Sequence, residues 1–151
     1  MSVLNWLRKV TRGGATADLL EEPMQFAADE ARFHGLDMKG VMDAHMAWCK
    51  RLEDVLSGKS QEHLEPATVA SDCNCTLGKW LHGPAKIKMG NTPDYDELMQ
   101  VHADFHINAA EVLKEFLHGQ TYNAELNLRK LRTQSGIIQL ALVRLFAKNK
   151  G

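Results

Sequence analysis

Two histidines four residues apart, His102 and His106, could bind one metal ion together. At that spacing, side chains lie one turn apart on the same face of an α-helix, so both imidazoles can reach a shared ion. A third histidine, His45, is interleaved with apolar residues at helical spacing, which places it on the core face of another helix. Burying several imidazoles costs free energy unless each has a partner. Spacing alone leaves a metal site and hydrogen-bonded core histidines about equally supported.

Length and composition limit what such a site could serve. A chain of 151 residues is one ordinary domain with room for a short appendage, long enough to build a core without metal. The 18 basic and 19 acidic residues give a net charge of −1, so the overall charge does not favour nucleic acid. Three cysteines do not suit a secreted disulfide framework, and no apolar run approaches a membrane span. We therefore expect a reduced, cytoplasmic protein.

Helical periodicity recurs along the chain and strand signals are nearly absent, which predicts an all-α fold. The predicted helices run from about Leu36 to Gly58, around Leu77 to Leu81, from Pro93 to just before Gly119, and from Thr121 or Asn123 to near the end of the chain. Gly83-Pro84 should end the short helix, and Thr92 should cap the third. Residues 61–75 have little apolar pattern and contain Glu65-Pro66, so we expect a long connection there. The pattern predicts an antiparallel four-helix-bundle-like domain with one short helix.

The last helix carries a regular apolar seam with one small polar member. Its members are Leu128, Leu131, Ser135, Ile138, Leu142 and Leu145. Ile137, Leu140, Val143 and Phe146 add apolar surface outside the seam, and we expect a homodimer to use it.

The first 34 residues differ in character, so we divide the chain into an N-terminal extension, 1–34, and a helical domain, 35–148. Residues 3–12 could form a short basic amphipathic helix, and an acidic segment follows. A tail, or a helix packed on the bundle, is favoured over membrane contact because three positive charges attract a membrane only weakly.

Three parts of the sequence together resemble the chemoreceptor zinc-binding domain, abbreviated CZB. They are His45-Met46-Ala47-Trp48, then Asp72-Cys73-Asn74-Cys75-Thr76-Leu77-Gly78-Lys79-Trp80-Leu81, then Tyr95, Leu98 and His102-Ala103-Asp104-Phe105-His106. Cys-x-Leu-Gly-x-Trp followed by His-x-x-x-His is far more specific than either half. The resemblance runs from about Leu36 to the end of the last helix.

The resemblance implies zinc held by His45, Cys75, His102 and His106. Three nitrogens and one thiolate form a closed tetrahedral set without an open position for water or substrate. Such a site suits a structural or sensory zinc, and we expect no enzymatic activity. A diiron bundle would need Glu-x-x-His motifs that contribute carboxylates to the core, and none stands out in this role. No Ser-His-Asp arrangement, phosphate loop or nucleotide fingerprint stands out either.

Residues near these four are expected to support the site or the core. Asp72 could accept the outer N–H of a ligand histidine or cap the short helix, and Trp48 and Trp80 could shield the site. Cys49 is expected in the core, with a spare ligand as the alternative, while Cys73 is a resolving thiol or has no role. The remaining histidines, His34, His63, His82 and His118, are expected at the surface.

Domains of this family are sensory modules attached to bacterial chemoreceptors or diguanylate cyclases, and they report zinc or oxidants. This sequence shows neither output domain, so the resemblance implies a stand-alone module that signals through a separate chemoreceptor, a component of a cyclic-di-GMP pathway, or self-association. Zinc occupancy could be the signal, or an oxidant such as hypochlorous acid could convert Cys75 to a sulfenic acid. The alternative is a zinc-stapled interaction module without a sensing role.

Overall fold

The computed structural model describes residues 32–149, so the basic and acidic segments predicted before residue 32 lie outside the described part. Strands β1 (Arg32–Phe33) and β2 (Leu36–Asp37) form a small antiparallel hairpin. The remaining elements are α1 (Met38–Leu56), α2 (Pro66–Ala70), a 3₁₀ turn (Asp72–Asn74), α3 (Thr76–Trp80), a π-helical turn (Leu81–Ala85), α4 (Lys86–Met89), α5 (Pro93–Leu117) and α6 (Thr121–Asn149). The predicted all-α, bundle-like fold is confirmed.

Helices α1 and α5 begin where side-chain caps satisfy their first N–H groups. Asp37 accepts from the Gly40 N–H at 3.0 Å, and the Thr92 hydroxyl accepts from the Tyr95 N–H at 3.3 Å. Pro93 occupies the first turn of α5, and Gly119 follows that helix with a φ of 76°. The caps predicted for α5 are therefore confirmed.

Helices α5 and α6 pair antiparallel along their whole length. Lys148 bonds Asp94 at 2.7 Å at one end, and Asn127 bonds Glu115 at 2.8 Å towards the other. Helix α1 packs on α6, α2 packs on α5, and every member of the seam predicted on α6 is buried. The long helices thus enclose one core whose α5 face carries two histidines.

The segment between α1 and α5 is more helical than predicted. Residues 61–75 include α2, because Pro66 stands at the first helical position, where a missing N–H costs nothing. Gly83 takes a non-helical conformation, φ −114° and ψ −106°, so the first helical stretch ends at this kink as predicted, and a further helical stretch leads into α4. The additional helical segments shorten the irregular connection and give the site firm neighbours.

The hairpin covers part of the apolar surface of α6 that lies outside its seam. Phe33 packs edge-on against Phe146 with ring centroids 5.3 Å apart and lies 5.5 Å from the ring of Trp80. Phe146 is buried against this hairpin and Val143 is also buried within the chain, whereas Ile137 is exposed. The predicted homodimer and the domain boundary at residue 34 stay predictions. Between residues 32 and 149, no helix is both long and apolar enough to cross a membrane.

We expect Phe33→Ala to lower the free energy of unfolding by about 3 kcal/mol, because it removes a buried ring from the contact between the hairpin and α6. Chemical denaturation measures the change. Arg32→Ala, at an exposed position in the same strand, should change stability by less than about 0.5 kcal/mol. Equal effects of the two substitutions would show that the hairpin is not part of the core.

Candidate metal centre

Four side chains from three separate elements converge in the core. One candidate ligand atom from each of His45, Cys75, His102 and His106 lies within 4.8 Å of all the others. His45 comes from α1, Cys75 stands at the start of α3, and the other two histidines lie one turn apart on α5. The structure therefore brings together the four residues that the sequence singled out, at separations that one ion could span.

The three imidazoles are nearly removed from water. His45 and His106 are 5% exposed and His102 is 0% exposed. Both ring nitrogens of His45, Nδ1 of His102 and Nε2 of His106 have no hydrogen-bond partner among residues 32–149. Buried nitrogens in that condition cost free energy, and zinc is a cation that accepts several imidazole lone pairs together with a sulfur. The donor set therefore fits zinc, the metal of the family that the sequence resembles.

A backbone carbonyl fixes the tautomer of His106. Its Nδ1 lies 2.8 Å from the carbonyl oxygen of Val69 in α2. A carbonyl can only accept, so Nδ1 carries the proton and the lone pair stays on Nε2, the nitrogen left free for a metal. Sequence reasoning missed Val69 because its contribution is a backbone atom in a segment predicted to lack helix.

Cys75 caps α3 with the same sulfur that faces the histidines. The sulfur lies 3.2 Å from Nε2 of His102 and accepts from the Gly78 N–H at 3.2 Å. A Cβ on Gly78 would lie 1.6 Å from the carbonyl oxygen of Asp72, so only glycine allows the 3₁₀ turn to approach α3 this closely. The Cys-x-Leu-Gly motif thus has a structural basis: cysteine caps the helix and glycine makes room for the turn.

Burial sets the protonation states of the group. It lowers the pKa of His45 to about 4 and that of His102 to about 3, with the neighbouring His106 adding to both shifts. Burial also lowers the pKa of His106. Neutral imidazole is the form that ligates a metal. In the opposite sense, burial raises the pKa of the Cys75 thiol, against the effect of the Gly78 and Leu77 N–H groups, so a bound cation is needed to hold the thiolate at neutral pH.

Asp72 takes neither of the roles predicted for it. The cap of α3 is the Cys75 sulfur, and the Asp72 carboxylate accepts from His82 at 3.1 Å and from the Cys73 thiol at 3.4 Å. Burial raises the pKa of Asp72, but the hydrogen bonds from His82 and Cys73 outweigh it and leave that pKa below its usual value. His82 reaches the carboxylate because the π-helical turn brings it back beside the 3₁₀ turn.

The tryptophans of the motif have identifiable contacts of their own. The half-buried ring of Trp48 lies under the Arg51 guanidinium, 4.7 Å from it. Trp80 is buried, and its indole N–H donates to the His34 carbonyl at 3.1 Å, which holds the hairpin. The ring in contact with the imidazoles is Phe105, 5.0 Å from His45 and 5.6 Å from His106. Shielding by Trp48 and Trp80 stays a prediction, whereas Phe105 packs on the site directly.

Cys49 and the four other histidines among residues 32–149 are not members of the converging group. Cys49 is buried, and burial raises the pKa of its thiol to about 11, so it behaves as an apolar core residue. His34, His63, His82 and His118 are exposed, as predicted.

The comparison with protein families agrees with the site. Residues 45–113 match the family model described as the chemoreceptor zinc-binding domain. No curated protein and no solved structure matches the chain. The matched range holds all four converging residues and ends inside α5, so the hairpin and α6 lie outside it.

The buried histidines predict how the stability of the metal-free protein depends on pH. Their folded pKa values lie below the unfolded value of 6.5, so the unfolded chain binds more protons and stability falls as pH falls below 6.5. Between pH 7 and 5, each of His45 and His102 should lower the free energy of unfolding by about 2 kcal/mol.

Denaturation of the metal-free protein at several pH values measures this loss. His45→Leu removes one titrating group and should flatten the dependence, while His63→Gln, at an exposed position, should leave it unchanged. A stability that is constant between pH 7 and 5 would contradict the assignment of neutral, buried histidines.

Proposed function

We propose that this protein is a bacterial sensory module that holds zinc through His45, Cys75, His102 and His106. The match of residues 45–113 to the chemoreceptor zinc-binding domain and the convergence of these four side chains support the proposal. The stimulus is an oxidant acting on Cys75, and the response passes to a partner protein. The observation that carries the proposal is the closed donor set of three buried imidazoles with one sulfur at the cap of a short helix.

The four side chains differ in how an outside reagent can reach them. The three histidines are buried, whereas Cys75 is half-buried and belongs to the short elements that cover the site. Zinc in this set would supply charge that keeps the sulfur as a thiolate, the oxidisable form. Cys75 is therefore the ligand that an oxidant attacks first.

Hypochlorous acid can oxidise Cys75 to a sulfenic acid without another reactant. The Cys75 sulfur takes the chlorine and releases hydroxide, and hydroxide then displaces chloride to leave a sulfenic acid. The sulfur loses two electrons and chlorine gains them. A sulfenic acid is a poorer ligand and a poorer acceptor for the Gly78 N–H, so the start of α3 loosens.

A route from the sulfur to the rest of the chain passes through α3. Cys75 begins that helix and Trp80 ends it, and Trp80 holds the hairpin through the His34 carbonyl at 3.1 Å. The hairpin in turn packs on Phe146 of α6. We propose that movement of α3 changes how the hairpin meets a partner such as a chemoreceptor or a component of a cyclic-di-GMP pathway.

A second candidate function has its own support. Large apolar side chains are exposed around the turn between α5 and α6, among them Leu117, Tyr122 and Leu126. This surface would suit a zinc-stapled module that associates with itself or with a partner and senses nothing. A Cys75→Ser variant that binds no zinc but keeps its fold, self-association and partner binding would favour this alternative over sensing.

Metal analysis tests the ligand assignment. We expect about one equivalent of zinc in the purified, untagged wild type and a large loss in Cys75→Ala and in His102→Ala, because each removes one donor from a closed set. Cys49→Ala, which changes a buried cysteine outside the group, should keep its zinc. Less than about half an equivalent in the wild type under non-chelating conditions would contradict the site.

Controlled oxidation tests the sensing mechanism. Stoichiometric hypochlorous acid should release zinc from the wild type, measured as total zinc captured by a chromophoric chelator. Cys75→Asp, which offers a negative ligand without sulfur, should bind zinc and keep it under the same treatment. Cys73→Ser, which retains the Cys75 sulfur, should release zinc to the same final extent as the wild type.

Two results would exclude the oxidant mechanism. One is equal release of zinc from wild type and Cys75→Asp. The other is full retention of zinc by a wild type in which mass spectrometry shows that Cys75 has become a sulfenic acid. Reversible zinc occupancy would then be the better account of the site.

A further inference from the structure

A second cluster of metal-ligating side chains lies beside the inner group and shares none of its ligands. It consists of Asp72, Cys73 and His82, whose candidate ligand atoms all lie within 4.8 Å of one another. Asp72 is half-buried, and the other two are exposed. One oxygen, one sulfur and one nitrogen are all donors that zinc accepts in proteins.

The two oxygens of the Asp72 carboxylate face the other two donors separately. Oδ2 lies 3.1 Å from Nε2 of His82, and Oδ1 lies 3.4 Å from the Cys73 sulfur. The carboxylate therefore stands between an imidazole and a thiol, and one ion could replace the protons that now join them. Three protein ligands and access to solvent leave a position for water, which is the arrangement of an open site.

The backbone around the cluster is held in place by the same contacts that build the inner group. Asp72 and Cys73 lie in the 3₁₀ turn before α3, and His82 lies in the π-helical turn directly after it. The Asp72 carbonyl packs so closely on Gly78 that no Cβ fits there, and it lies 3.7 Å from the Cys75 sulfur. The Tyr95 hydroxyl, from α5, donates to the Leu81 carbonyl at 2.8 Å beside His82. Both sides of the cluster are thus positioned before any ion binds.

We propose that Asp72, Cys73 and His82 form a second, weaker zinc site, open to solvent, through which zinc enters and leaves the inner group. Cys73 of the outer cluster is separated from Cys75 by one residue, Asn74, and the Asp72 carbonyl oxygen lies 3.7 Å from the Cys75 sulfur, so the two groups of ligands adjoin along the same turn. This function does not depend on oxidant sensing, because any exchange of the inner zinc needs a path through the elements that cover it.

Titration of metal-free protein with zinc, in competition with a chromophoric chelator, tests whether the site exists. The wild type should bind one tight and one weaker equivalent, and the double variant Cys73→Ser/His82→Asn should lose only the weaker one. His102→Ala should lose the tight equivalent and keep the weaker one, which separates failure of this proposal from failure of the inner assignment.

Cobalt(II) provides a spectroscopic check of the same titration. Each equivalent bound through a thiolate adds sulfur-to-metal absorption, so the second step should disappear in Cys73→Ser. His63→Asn is the matched control for the change at His82, because His63 is also exposed and also contacts a carboxylate, that of Glu65, at 2.6 Å. It should keep both equivalents.

The rate at which a chelator removes the inner zinc tests the exchange role. That rate should fall several-fold in Cys73→Ser/His82→Asn while the tight affinity is unchanged. A single equivalent in the wild type, or a second equivalent that persists in the double variant, would overturn the site. An unchanged removal rate would overturn its role in exchange.

Discussion

Burying three imidazole rings in an apolar core costs free energy, and the rest of this structure depends on how that cost is offset. Water is excluded from His45, His102 and His106, and most of their nitrogens find no partner within residues 32–149. The lowered pKa values of the three rings express the same cost, since the core rejects the charged form. An ion that binds all three relieves that cost only in the folded state, so its binding free energy adds to stability. The stability of the core and the binding of the metal therefore depend on each other.

The short elements between α1 and α5 deliver the sulfur, and α5 holds them at both ends. Near its middle, His106 donates to the Val69 carbonyl at 2.8 Å, and near its start Tyr95 donates to the Leu81 carbonyl at 2.8 Å. Cys75 lies between these two anchor points. A ligand on an irregular segment is therefore positioned almost as firmly as the ligands on a helix. The same segment remains the outer wall of the site, which is why its chemistry is open to reagents from solvent.

Side-chain patterns predicted much of this molecule, and backbone contacts account for most of what they missed. Helical spacing placed His45 and His102 on core faces, and the caps of α5 followed from Thr92, Pro93 and Gly119. The Cys75 position needed the resemblance to a known family, because no periodicity marks a residue in a connection. The Val69 carbonyl could not be predicted, since any residue type provides one. The two-residue strands of the hairpin are too short to show an alternating pattern.

The family match stops at residue 113, four residues before α5 ends, while the face of α5 beyond the histidines is covered by α6. A segment cut at those borders would carry every donor atom and still lack the wall that keeps water from them. Val112 and Leu113, both buried in the whole chain, would become surface. Anyone grafting this centre into another protein would have to bring α6 along, or design a helix to replace it. The segment needed to transfer the site includes the helix that excludes solvent, so it is longer than the segment that contains the four ligands.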